Sequence, residues 1–360
     1  MSEAGAADGT TRAELFAPDQ TVSQEWTRLA DYLAAQGMRL TGAPRQFAQG
    51  FGNLNFLIEV DGRPAVLRRP PVGPIPPGAN DMKREHRILS RLWQAFALAP
   101  RSLLYCESAE VLGAHFLIME YRAGRVVRGE MPADLAAVPD AGARLGNMLV
   151  DLLARIHAVD CGAIGLGELG RPEGFLQRTV DGWAKRAAIA YDGPAPAEVD
   201  ALVAWLRARR CPEQAPSLLH NDFKLDNVIL DAAGREPVAV LDWDMGTRGD
   251  PLFDLATLLS YWTEAGDPQP MHDLKQMPTA GYGFPTRAQA VAEYARLTGR
   301  DVSDFPYYRV LTMLKIGIVF AQIHAQYRRG TSTNPRFEPL GRLAQGLLEF
   351  GVEIAHGRAF

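Results

Sequence analysis

HNDFKLDNVILDAAGREPVAVLDWDMGTRGDPLFD, residues 220–254, holds the chain's densest set of side chains suited to binding a hard cation and moving a proton. Two short apolar runs, Asn227–Leu230 and Val238–Leu241, flank a polar turn, Asp231–Glu236, that contains Gly234. Such a pattern predicts a β-hairpin. With the turn centred near Gly234 and Arg235, facing residue numbers sum to about 469, which sets Asn227 opposite Asp242. Mg²⁺ takes oxygen ligands in a tight octahedron, usually one or two carboxylates completed by phosphate oxygens. Asn227 and Asp242 are predicted to supply the protein's share, with Asp244 assisting at a second ion. Asp222 precedes them at the start of the loop, placed to accept a proton from an incoming hydroxyl. A positioned base of this kind contributes about 10²–10⁴-fold.

An Asp, a gap of four, an Asn and then a second Asp is the order in which protein kinases place their base and metal ligands. His220-Asn221-Asp222 through Asn227, followed by Asp242-Trp243-Asp244, resembles the kinase-like phosphotransferases of the aminoglycoside phosphotransferase and choline kinase superfamily. Their motif is H-x-D-x-x-x-x-N followed by D-x-D/E. The resemblance implies Asp222 as catalytic base, Asn227, Asp242 and Asp244 as metal ligands, and His220 as a residue that shapes the loop. Asp254 is implied to be structural, buttressing the catalytic-loop backbone. Asn221 stands where many relatives have Gly or Arg. Lys224 is open between reaching the γ-phosphate and facing water.

Upstream, the chain reads as a helix over Thr21–Met38, with Thr21 or Ser23 as N-cap, and then a β-rich segment. Strands are predicted at Pro44–Ala48, Asn55–Val60 and Ala65–Arg69, the last two joined by an Asp61-Gly62 hairpin turn. Gly50-Phe51-Gly52-Asn53 is a candidate phosphate-covering loop, since glycines let backbone amides approach phosphate oxygens. An ordinary hairpin turn is the alternative. Ala65-Val66-Leu67-Arg68 stands where a kinase has V-A-I-K, with a guanidinium replacing the ammonium. Alternation along the strand points Arg69 the other way. Arg68-Arg69-Pro70-Pro71 resembles the subfamily whose kinase-like domain is fused to some acyl-CoA dehydrogenases. The amphipathic helix predicted over Asp81–Phe96 offers Glu85 as the acid that pairs with Arg68; a surface partner is the alternative. The strand His115–Tyr121 leads to a hinge, where backbone groups of Glu120 and Arg122 would meet adenine.

Downstream, helices are predicted at Gly142–Asp160, Phe175–Ile189, Ala197–Ala208, Ala256–Trp262, Thr286–Thr298, Phe305–Arg329 and Pro339–Ala355. Met271–Phe284 reads as a loop long enough to line a pocket. His157 suits a satisfied core or cap residue better than a catalyst. Gly165-Leu-Gly-Glu-Leu-Gly170 matches G-x-G-x-x-G but follows a helix, so the dinucleotide-binding context fails.

Composition narrows the class. The 360 residues suit one large or two coupled domains. Hydrophobic content of 47% and charged content of 22% are those of an ordinary globular protein. A net charge of -4 offers no electrostatic case for nucleic acid or an anionic membrane. Three scattered cysteines, Cys106, Cys161 and Cys211, form no disulfide framework, and a cytoplasmic setting is expected. No G-x-S-x-G, H-E-x-x-H or G-x-x-x-x-G-K-[ST] occurs.

The expected fold class is α+β, protein-kinase-like and bilobal: a small antiparallel β-sheet lobe and a larger, mainly helical lobe. Residues 1–20 read as a disordered tail, with no signal-peptide pattern. Residues 21–120 read as the nucleotide-covering lobe and 121–360 as the catalytic and substrate-binding lobe. The expected activity is an ATP- and Mg²⁺-dependent kinase acting on a small-molecule hydroxyl. From Thr257 to Phe360 there are nine Asp and Glu against eleven Lys and Arg, which disfavours polycationic aminoglycosides and permits an anionic or acyl-type substrate. The resemblance to dehydrogenase-fused kinase domains implies a hydroxyacyl thioester or related metabolite. A catalytically silent module of the same fold and an antibiotic phosphotransferase are the alternatives.

Overall fold

The computed structural model describes residues 15–17, 20–48, 52–71, 80–332 and 334–360. The chain runs α1 (Trp26–Ala35), β1 (Leu40–Gln46), β2 (Leu54–Val60), β3 (Arg63–Arg69), α2 (Met82–Leu92), β4 (Ser102–Cys106), α3 (Ala109–Leu112) and β5 (Phe116–Glu120). It continues through α4 (Ala133–Ala136), α5 (Ala141–His157), α6 (Phe175–Tyr191), α7 (Ala197–Ala208), β6 (Ser217–Leu219), β7 (Val228–Leu230), β8 (Pro237–Val240) and β9 (Thr247–Gly249). Last come α8 (Pro251–Ser260), α9 (Gln269–Leu274), α10 (Arg287–Thr298), α11 (Phe305–Arg328) and α12 (Leu340–Ala355). These elements form two compact units. Unit one comprises Met1–Val126, Asp160–Gly167 and Asn227–Gly246; unit two comprises Val127–Val159, Glu168–Asp226 and Thr247–Phe360.

Unit one is built on an antiparallel sheet in the order β1-β2-β3-β5-β4. Asp61 and Gly62 both take positive φ, as a tight hairpin between β2 and β3 demands. Alternate residues Phe56, Ile58, Leu67 and Ile118 point into one core with Leu29 and Leu33 of α1. Helix α2 buries Met82, Glu85, Ile88, Leu89 and Leu92, one face at helical spacing, and its N-cap Asp81 accepts the Arg84 amide at 2.9 Å. Unit two is helical. Every residue of α8 is buried, and α11, packed on α6, α8 and α12, is buried almost all round from Phe305 to Ile318.

The predicted helices and strands are present within a few residues, with informative exceptions. Helix α1 starts at Trp26, without a side-chain cap, because Thr21 and Val22 bond back to Ala17 and Gln46. Helix α8 starts at Pro251, five residues before the predicted Ala256, because Asp250 caps it and Pro251 opens it. The segment read as loop from Met271 contains most of α9. Within the predicted tail, Leu15 bridges to Phe47 and the Phe16 amide donates to the Gln46 carbonyl at 2.9 Å. The rest of the tail to residue 14, Gly50 and Phe51 of the glycine loop, and residues 72–79 of the proline-rich loop lie outside the described residues.

The β7–β8 hairpin exists, but its register corrects the predicted pairing by one residue. Val228 faces Val240 and Ile229 faces Ala239, with a bulge before Leu230 meets Pro237. The Leu241 amide donates to the Asn227 carbonyl at 2.8 Å, so Asn227 lies across from Leu241 and Asp242 falls one position beyond. The turn is anchored asymmetrically: the Asp231 amide donates to Glu236 at 2.8 Å, and the Asp231 carboxylate accepts the Arg235 amide at 2.7 Å. Asp242 then leaves the strand with φ 68°, a conformation that L-residues resist and that re-aims its side chain.

Candidate active site

In unit one, β3 and α2 bring a guanidinium and a carboxylate together beneath the hairpin. Arg68 Nε lies 2.9 Å from Glu85 Oε2, and both side chains are buried. The Arg68 guanidinium also pairs with Asp242 and approaches Asp244 at 3.7 Å. The Glu85 carboxylate accepts the Trp243 amide at 3.3 Å, tying α2 to the turn after β8. The Asn53 carboxamide packs against Arg68, Asp244 and Asn80. Neither arginine is solvated: Arg69 is buried on the opposite side, donating to the Leu112 carbonyl at 2.5 Å and to Gln24 at 2.6 Å.

Three carboxylates therefore share one guanidinium; Arg68, Glu85 and Asp244 are buried, and Asp242 is partly exposed. Burial works against the charge of Arg68, but Asp242, Glu85 and Asp244 outweigh it and hold the group above its usual range. Burial pushes the Glu85 carboxyl up to about 7, Arg68 opposing and Asp242 adding to the rise. Burial and the charge of Asp242 raise Asp244 well above the usual carboxylate range. Hard oxygen donors clustered around a single guanidinium, with carboxyls whose protonation rises in the absence of more positive charge, suit a small divalent cation. Among the described residues no three His, Cys, Asp or Glu side chains converge as a complete protein cage. A magnesium site that keeps waters and phosphate oxygens needs none.

In unit two, the loop after β6 carries Asp222. Tyr261 donates to Asp222 Oδ1 at 3.0 Å and Lys224 Nζ lies 2.5 Å from Oδ2, while 23% of the Asp222 side chain stays exposed. Lys224 itself is buried and also faces Asp226 at 3.5 Å. Burial disfavours its charge, but Asp222 and Asp226 reverse that effect and hold it above the ordinary lysine range. Asp254, wholly buried on α8, accepts the His220 amide at 2.6 Å and the Asn221 amide at 2.8 Å. His157 sits 3.3 Å from Asp254 and 2.6 Å from the Tyr294 hydroxyl, the satisfied core histidine expected. Burial alone would raise the Asp254 carboxyl; hydrogen bonding and charge from His157 and His220 hold it below the usual range. Asn221 has φ 67°, a conformation in which Asn is among the better-tolerated L-residues.

The remaining sequence-predicted residues take less central places. Gly52 is exposed, its carbonyl accepting from Asn80 at 2.9 Å. Glu120 ends β5 with its amide donating to Arg101 and its carboxylate accepting from Arg122 at 2.9 Å. Asn227 is buried in the turn of 3₁₀ helix that leads into β7.

Sequence reasoning missed Tyr261 and Lys315, and had Asn53 only as part of the glycine loop and Met277 only within the loop long enough to line a pocket. Lys315 left a signal, as a single charge inside the apolar run of α11. Its Nζ lies 2.5 Å from the Asn221 carbonyl. Met277 Sδ accepts the Leu225 amide at 3.3 Å and lines a cavity of about 430 Å³ in unit two. Gly129, Glu130, Met131, Thr263, His272, Lys275 and Tyr282 also line it. Gly129 is required there, because a Cβ would fall 2.2 Å from the Lys275 carbonyl oxygen.

This chain is 28% identical over 331 residues to acyl-CoA dehydrogenase family member 11 of Gallus gallus, covering 88% of this chain and 41% of that protein. It thus spans about two fifths of the length of that curated relative. A solved structure from Ralstonia eutropha JMP134, assigned to the aminoglycoside phosphotransferases, superposes with a TM-score of 0.76 at 26% identity, covering 93% of this chain and 99% of that one. An aminoglycoside phosphotransferase solved in ternary complex with ADP and hygromycin B gives 0.55 at 19% identity, over 91% and 98% of the two chains, a likeness of fold. The model of the phosphotransferase enzyme family matches residues 44–290, the span that holds β2 to β5, the Arg68 cluster and the Asp222 loop. The kinase-like fold and that match agree: the chain belongs to the phosphotransferase enzyme family.

Proposed function

We propose that this protein transfers the γ-phosphoryl group of ATP to a hydroxyl of a small molecule, with Asp222 as the base. The observation that carries this is the Asp222 carboxylate: both oxygens are oriented by donors, the two amides just before it are held by Asp254, and part of it stays open to solvent. A carboxylate so held accepts the acceptor's proton without reorganising. Arg68, held by Glu85, would grip nucleotide phosphates, and Gly52 belongs to the loop that would cover them. Main-chain groups at Glu120 and Arg122 would meet the adenine. Asn227 and Asp242, with Asp244 beside them, would hold Mg²⁺, which when bound supplies positive charge against the phosphate oxygens. Three free cysteines fit a cytosolic protein, and no helix among the described residues is long and apolar enough to cross a membrane.

For the acceptor we infer a hydroxyacyl thioester or related metabolite. Its support is the similarity to acyl-CoA dehydrogenase family members and the cavity, where Glu130 is the one carboxylate among lining residues that include Lys275 and His272. An aminoglycoside or macrolide acceptor is the second reading, favoured by the hygromycin-bound neighbour. The test is ADP release by the wild type and by Asp222→Asn over hydroxyacyl-CoA, aminoglycosides, macrolides, choline and sugars. Loss of about 10²–10⁴-fold in the variant is expected. Equal turnover by both proteins refutes the base. Preferential turnover of an antibiotic refutes the acceptor class, and ATP binding without turnover of any acceptor points to a silent module.

A further inference from the structure

Lys315 lies midway along α11 among Leu311, Leu314, Ile316 and Ile318, all buried, and is itself 3% exposed. An ammonium in such surroundings is costly unless something specific receives it. No carboxylate lies within ion-pair distance of it among the described residues. Its Nζ is instead 2.5 Å from the Asn221 carbonyl oxygen and 3.3 Å from Thr257 Oγ1, with the Phe253 ring 5.1 Å away. The Asn221 carbonyl belongs to the same peptide group as the Asp222 amide, which donates to His220 Nδ1 at 3.3 Å. The preceding amides of His220 and Asn221 are taken by Asp254.

We propose that Lys315 is the positioning residue of the catalytic loop: by holding the Asn221 carbonyl it fixes the Asn221–Asp222 peptide in its left-handed turn and thereby aims the Asp222 carboxylate. This deepens the proposed function and rests on Asp222 being the base. The ionisable groups facing Lys315 are Asp222 and Lys224 on the loop, Asp254 on α8 and Arg186 on α6. Burial lowers the lysine to about 8, the two aspartates opposing and the two cations adding to the fall. The hydrogen bond to Asn221 is therefore charge-assisted at pH 7 and loses that charge above pH 8. Between pH 8 and the ordinary lysine range the unfolded chain binds more protons, so deprotonation stabilises the fold while it slackens the loop. Activity and stability are expected to move in opposite directions there.

The experiment compares wild type, Lys315→Met, Lys315→Arg and Asp222→Asn as full chains. It measures ADP release from pH 6 to 10, with water and with the acceptor turned over fastest, alongside urea unfolding and hydrogen exchange of residues 217–226. Expected is a wild-type kcat that falls above pH 8 without loss of stability. Lys315→Met should lower kcat about 10–100-fold with KM for ATP unchanged, show no limb near pH 8, and exchange the 217–226 amides faster. Lys315→Arg should move the limb to higher pH. A Lys315→Met enzyme with wild-type kcat and the same alkaline limb overturns the proposal. A wild-type limb that tracks unfolding, or persists unmoved in Lys315→Arg, overturns it without need of a folded methionine variant. If Asp222→Asn keeps full activity, the base itself is wrong; if it is inactive while Lys315→Met is not, only the positioning role falls.

Discussion

Replacing Arg68 by Met keeps an aliphatic stem of similar reach but removes the one cation shared by Glu85, Asp242 and Asp244. Glu85 is wholly buried and, among the described residues, would keep only the Trp243 amide, so the broken pair should cost about 3–5 kcal/mol. The cost is limited by protonation, which gives it a pH signature. In the wild type Glu85 is pushed up to about 7 in the fold, against about 4.5 unfolded, so the folded chain binds more protons between these values and stability falls as pH rises through them. Above pH 7 the wild-type contribution levels off. Without Arg68 the folded carboxyl titrates higher still, and the variant goes on losing about 1.4 kcal/mol per pH unit. The difference between the two proteins is therefore small at pH 5.5 and grows from pH 7 to 8.5. Urea unfolding of the magnesium-free chain at these three values, with Arg68→Met/Glu85→Gln as the relieved double variant, measures it. A penalty that does not change with pH, or a double variant no more stable than Arg68→Met, refutes the shared-guanidinium argument.

Two further perturbations bear on unit two. Asp254→Asn offers a single acceptor oxygen to the His220 and Asn221 amides, so kcat should fall about 10²-fold through misplacement of Asp222, with KM for ATP unchanged in steady-state kinetics. The Asp254 carboxyl is depressed in the fold, so its contribution is present above the ordinary aspartate range and lost as pH falls through the lower folded value; acid unfolding of Asp254→Asn should lack that component. Gly129→Ala would overlap the Lys275 carbonyl at the cavity wall, costing about 1–3 kcal/mol and raising KM for the acceptor but not for ATP; equal effects on both would detach the cavity from acceptor binding.

How much of this was legible beforehand depends on the range of the interaction. The Asp61-Gly62 hairpin, the amphipathic face of α2 and the spacing from His220 to Asn227 are local patterns, and they appear in the fold almost where expected. The pairing of Arg68 with Glu85 was predicted by resemblance, and the structure adds that both are buried and joined by two further acids. The hairpin register failed because a bulge and an asymmetric turn shift pairing by one residue, and no residue pattern in so short a strand opposes that slip.

The sequence by itself determined the class of chemistry: the order of acids and amide around residues 220–254, and the β-strands and helix that precede them, are properties of neighbouring residues. Only the tertiary structure decided what holds those groups in place. Tyr261 reaches the loop from the end of α8 and Lys315 from α11, and Glu85 reaches Trp243 from α2, across separations that carry no sequence periodicity. Burial did the rest, because the charge states of Glu85, Asp244 and Lys315 are set by the water they have lost and the partners they have met.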